Sequence, residues 1–222
     1  MIDDRARSFS RKMINFIDES SSTYHVVKNC SDILDQNGFE RLNLKDEWEI
    51  KRTGKYYIER ANSTIVAFTI GNNFNNVEGE KIGFRIFGAH TDSPGFRVKH
   101  NPEMITENLL KINTEVYGSP ILNTWFDRPL SIAGRLIVKS DKIFSPKTIN
   151  IKIDEPILTI PNLAIHQNKD INRGIELDKQ NDTLPIFKTV DSIFERENYL
   201  LKILAKKTGL NISGSAEGKA NS

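Results

Sequence analysis

Cysteine occurs once in these 222 residues, at Cys30, so no disulfide can form within the chain. That usage fits a reducing compartment. No apolar run approaches the ~20 residues that a membrane-spanning helix needs. The opening MIDDRARSFSRKM carries no apolar core of signal-peptide length. Charge of one sign is not in excess either: 31 basic against 29 acidic residues leave a net +2. Such a balance gives no bulk attraction to nucleic acid or to an anionic membrane. Internal repeats are absent. A cytoplasmic protein with neither nucleic-acid nor membrane partners is the expectation.

What is present is a globular composition, 38% hydrophobic and 27% charged, in a chain long enough for one large or two small domains. Phe9, Met13, Phe16 and Ile17 follow the stripe of an amphipathic helix. Ser20 to Thr23 offer N-caps for a second helix. Its stripe is Val26, Cys30, Ile33 and Leu34, and Gly38 sits where a left-handed residue ends it. His25 on that helix reads as structural. Strand signals follow at 56–58 and 64–70, then at 84–87, giving an α/β pattern over residues 1–94.

After Pro94 the character changes. Segments 96–99, 109–117, 132–139, 149–153 and 157–166 are short, β-rich and punctuated by Pro, Gly or Asn. A late helix is expected near 192–208, with a Ser192/Glu195 capping box and Gly209 as its stop. Residues 213–222 are polar and rich in Gly and Ser, and read as a flexible tail. Within them G-S-A-E-G-K has three residues between its glycines and no Ser or Thr after the lysine. It is therefore not a phosphate-binding loop.

The stretch FRIFGAHTDSP, Phe84 to Pro94, carries the chemistry. An extended chain puts alternate side chains on one face, so His90 and Asp92 can point into one cleft. The spacing admits two readings. One is a satisfied polar pair at a strand end. The other is a metal-binding imidazole with the acceptor that fixes its tautomer and its aim.

Four further stretches join this motif: SSTYHVV (21–27), FRVKHNP (96–102), EVYGSPILNTWFDRPLSIAGRLIV (115–138) and IPNLAIHQNKDINRG (160–174). In this order and at these separations the chain resembles the aspartyl aminopeptidases, the M18 zinc metallopeptidases, from about Phe16 to about Leu210. The resemblance implies a phosphorylase/hydrolase-like α/β catalytic domain, here partial, over residues 1–94. It implies an inserted β-rich dimerisation domain over 95–212. It implies two zinc ions in an intact subunit, peptide substrates that begin with an acidic residue, and assembly as dimers or dodecamers.

By position in these motifs, His90 resembles a metal ligand and Asp92 the catalytic aspartate that orients it. His166 resembles the histidine that a neighbouring subunit presents to the oxyanion of the tetrahedral intermediate. On its own spacing, His166 reads instead as a buried, hydrogen-bonded histidine in an apolar strand. Asp127 and Arg128 read as a salt-bridged anchor of the inserted domain. His100 stands where the family more often has proline, and Pro129 where a residue is commonly acidic. The family's remaining ligands and its glutamate base lie in motifs that these residues do not contain. The chain thus resembles the N-terminal half of a subunit, inactive alone. The alternative is a non-enzymatic assembly or interaction module derived from such a peptidase.

Overall fold

The computed structural model describes residues 3–72, 83–140, 146–174, 176–190 and 198–210. Its chain divides into two compact units, one of residues 1–93 with 134–150, the other of 94–133 with 151–222.

The first unit opens with helices α1 (Asp4–Glu19) and α2 (Thr23–Gln36). Asp3 caps α1 by accepting the Arg5 N–H at 3.1 Å, satisfying one of the unpaired donors of the first turn. Gly38, at φ +73°, ends α2 in the left-handed region. Three strands follow, β1 (Glu40–Arg41), β2 (Lys55–Arg60) and β3 (Thr64–Thr69). They form one sheet in that order, with β1 parallel and β3 antiparallel to β2.

Consecutive tyrosines explain how this sheet is covered. Tyr56 and Tyr57 are both buried, and adjacent strand residues face opposite ways. Tyr56 packs on Phe68, ring centroids 5.5 Å apart, and its hydroxyl accepts the Lys51 N–H at 2.9 Å. A Cβ on Gly54 would stand 2.4 Å from the Tyr56 ring, so only glycine fits there. Tyr57 faces α2 and donates to Asp35 Oδ1 at 2.7 Å. Burial first, then the Asp35 carboxylate, pushes its phenol up to about 12; Glu59 adds to the rise and Arg41 opposes it. The side of α2 turned inward is Val27 and Ser31, with Ser31 donating to Glu59. The expected stripe of Val26, Cys30 and Leu34 is half-buried, and Ile33 is exposed.

The second unit is built on the hairpin β4 (Gly95–Thr106) and β5 (Leu109–Tyr117). Leu110, Ile112 and Thr114 alternate into its core. The β4–β5 register shifts between Val98 and Glu103. His100 and Pro102 lie in that stretch, and Pro102 has no N–H to give to a ladder. β6 (Ala133–Val138) and β7 (Lys147–Lys152) form a separate two-stranded ribbon. β8 (Ile186–Thr189) then adds to the free side of β5. Helix α3 (Tyr199–Thr208) buries Leu200 and Leu204. It receives a Glu103 carboxylate on the Leu200 N–H at 2.6 Å.

Two sequence expectations change, and one lies partly outside the described residues. Residues 84–87 form no strand ladder among the described residues, and Phe84, Ile86 and Phe87 are 79%, 86% and 94% exposed. An apolar run on both faces has the pattern of a mid-sheet strand, but no described neighbour pairs with it. The segment 157–166 makes isolated bridges only at Leu158 and Thr159, then leaves the sheet at Pro161. The late helix is seen from Tyr199. Its expected Ser192/Glu195 capping box lies outside the described residues, as do the 213–222 tail and the G-S-A-E-G-K stretch within it.

Candidate metal site

His90 and Asp92 meet as their spacing predicts: Nδ1 of His90 lies 3.0 Å from Oδ1 of Asp92. The imidazole is 90% exposed and the carboxylate 39%. With Nδ1 engaged by Asp92, Nε2 is the remaining ring nitrogen of an exposed imidazole. That is the arrangement by which a carboxylate fixes a ligand histidine's tautomer. The pair suits zinc, which takes imidazole nitrogen readily, but it is one ligand where about three protein ligands are needed. Among the described residues, no group of three or more His, Cys, Asp or Glu comes together. His90 and Asp92 are thus a pair that could supply one ligand and its orienting carboxylate to a metal site.

The residue between them was not singled out by sequence. The Thr91 hydroxyl donates to the Ser63 carbonyl at 2.9 Å and stands 3.1 Å from the Thr23 hydroxyl. Ser63 closes the β2–β3 turn, whose Ala61 and Asn62 adopt φ 53° and 54°. Thr23 is the first residue of α2. The Ser22 hydroxyl caps no backbone N–H and instead meets His25 Nδ1 at 2.8 Å, which gives His25 a structural partner. On the same unit, the Arg135 guanidinium bonds the Ala61 carbonyl at 3.1 Å and lies 4.2 Å from the Tyr24 ring centre.

His166 sits in the second unit, in an exposed turn and not in a buried strand. The Ala164 carbonyl shapes that turn by accepting the N–H groups of Gln167 at 2.8 Å and Asn168 at 3.1 Å. Asp127 clamps its start and does not pair with Arg128. The Asp127 carboxylate accepts the Asn162 backbone N–H at 2.9 Å and its side-chain amide at 2.8 Å. The backbone bond first, then the amide bond, holds the Asp127 carboxyl below the usual carboxylate value. Cys30 offers no chemistry here, since burial pushes its thiol up and keeps it protonated.

An imidazole backed by a carboxylate on a mixed α/β unit is an arrangement that metal-dependent hydrolases use. Comparison with known proteins makes this specific. Residues 16–214 match the family described as aminopeptidase I zinc metalloprotease (M18). Over 205 residues the chain is 50% identical to the probable M18 family aminopeptidase 2 of Clostridium acetobutylicum, covering 92% of this chain and 46% of that protein. A structure described as the Ape4 and Nbr1 complex matches with TM-score 0.84 and 30% identity, over 95% of this chain and 42% of that one. The Saccharomyces cerevisiae mApe1 dodecamer matches with TM-score 0.68 and 26% identity, over 91% of this chain and 45% of that one. This chain belongs to the M18 family. It spans about half the length of the relatives it matches.

Proposed function

We propose that this chain is the N-terminal portion of an M18 metalloaminopeptidase, and that it is inactive without the ligands that complete the site. The hydrogen bond between His90 and Asp92 carries this reading. His90 would hold one metal, and Asp92 holds the His90 ring through Nδ1. When bound, zinc lowers the pKa of water and polarises the scissile carbonyl. An intact subunit would hold two ions.

His166 is the oxyanion donor offered to a neighbouring subunit. Its exposure suits presentation outward, and the Asp127–Asn162 clamp gives its loop a defined start. The second unit is the inserted dimerisation domain. Peptides with an acidic N-terminal residue are the substrates, and a dimer or dodecamer is the working assembly, in a cytoplasmic setting. The family resemblance supports the substrate, and a dodecamer is described for the yeast relative.

A second reading has its own observation. Phe84, Ile86 and Phe87 expose apolar side chains outside any strand, which favours an assembly module that pairs with other subunits and catalyses nothing. Co-expression with the complementary portion of the Clostridium acetobutylicum relative separates the two. Acidic-peptide turnover that disappears in His90→Ala supports the peptidase. A stable, zinc-free complex without turnover supports the module.

A further inference from the structure

We infer that Thr91 is a positioning residue, whose hydroxyl ties the backbone between His90 and Asp92 to the β2–β3 turn and to α2 and so holds the imidazole and carboxylate in register. This rests on the metal-ligand reading of His90 for its purpose, though not for its geometry.

His90 and Asp92 bond each other, while Thr91, at a bend in the chain, bonds to Ser63 and Thr23. A ladder would normally hold such a segment, yet residues 83–90 pair with no strand among the described residues. The exposed Phe84, Ile86 and Phe87 give no packing anchor there either. The hold comes from the Thr91 hydroxyl. Thr91 gives its one hydroxyl proton to the Ser63 carbonyl at 2.9 Å. A lone pair remains to accept the Thr23 hydroxyl at 3.1 Å, which matches the inventory of a threonine hydroxyl.

Both partners are held by regular structure. Ser63 follows a tight turn stabilised by its own N–H to the Arg60 carbonyl at 3.1 Å. Thr23 begins a fourteen-residue helix. The contacts join positions 68 and 28 residues apart in the chain, so they fix the motif to the body of the unit and not to its own loop. Threonine suits the task because its branched Cβ restricts χ1. A ligand that must hold its aim to about half an ångström depends on such support.

The test uses the full chain, labelled with ¹⁵N in its histidine rings, with His90→Gln assigning the resonance. Spectra are taken at one fixed pH for the parent, Thr91→Val and Thr91→Ser. The parent should show His90 as the Nδ1–H tautomer. Thr91→Val should shift it toward the mixture of free imidazole and speed amide exchange at 90–92 about fivefold, the effect of one net hydrogen bond. Thr91→Ser should restore both. Thr23→Val, which removes the other hydroxyl of the cluster, should give a smaller change of the same sign, and it serves if Thr91→Val does not fold. Unchanged tautomer and exchange in a folded valine variant, or no recovery with serine, overturns the inference.

A Zn²⁺ titration of the parent separates the two claims. If the His90 ring responds at lower concentration than exposed His100, the metal reading stands. If it responds no earlier, that reading fails while the Thr91 result is untouched.

Discussion

Oδ1 of Asp92 and Nδ1 of His90 stand 3.0 Å apart on an exposed edge of the first unit. The bond sets which ring nitrogen faces outward. His90→Ala should therefore weaken binding of the one ion it would hold more than Asp92→Asn does, since Asp92→Asn leaves the ligand in place with a disturbed tautomer. A loss of about 10- to 100-fold in metal affinity is expected for Asp92→Asn, the usual cost of a lost orienting partner. Calorimetric zinc titration of the complemented enzyme measures both.

His166 carries a separate expectation. In the complemented enzyme, His166→Phe should lower kcat about 100-fold or more, the cost of losing one oxyanion donor, with little change in KM. Steady-state kinetics on an acidic peptide read this directly. Unchanged kcat would remove His166 from the chemistry.

The loop bearing His166 should loosen in acid. Asp127 is held below its ordinary value of 3.8 by the Asn162 bonds. A carboxyl depressed in the fold stabilises it above its unfolded value. That contribution disappears as pH falls through the lower folded value. Hydrogen exchange at 162–168 should therefore rise below about pH 3.8. Asp127→Ala should show the same loosening at neutral pH, several-fold in rate.

Tyr57 behaves oppositely at the alkaline end. Its phenol is raised from 10.0 to about 12, so the fold favours the protonated form. Stability from this group is whole below pH 10.0 and is lost as pH rises toward about 12. Tyr57→Phe should cost about 1 kcal/mol at neutral pH, the net value of one hydrogen bond. It should also flatten the alkaline limb of the denaturation profile.

Much of the second unit rests on one hairpin. Leu110 is fully buried in it, at 0% exposure. Leu110→Ala should cost about 2–5 kcal/mol by transfer and cavity terms, read from urea denaturation.

Local pattern made the helices and the 109–117 strand readable: burial alternates along the strand and α2 turns Val27 and Ser31 inward, while α1 forms with Phe9, Met13 and Ile17 of its expected stripe exposed. It also placed His90 beside Asp92. Pattern failed where partners decide the outcome. Residues 84–87 have strand chemistry but no described neighbour to pair with. The apolar letters of Leu163 and Ile165 suggested a strand around His166, yet Pro161 and the Asp127–Asn162 clamp turn the chain outward. Thr91, Thr23 and Ser63 are ordinary residues far apart in the chain, and only the fold brings their oxygens together.

The most direct test of His90 as one ligand of a site completed from elsewhere is zinc content measured together with peptide turnover on the purified 222-residue chain. Substoichiometric, weakly held zinc and no hydrolysis of a peptide with an acidic N-terminus are expected. Stoichiometric, tightly bound zinc with turnover, both lost in His90→Ala, would contradict it.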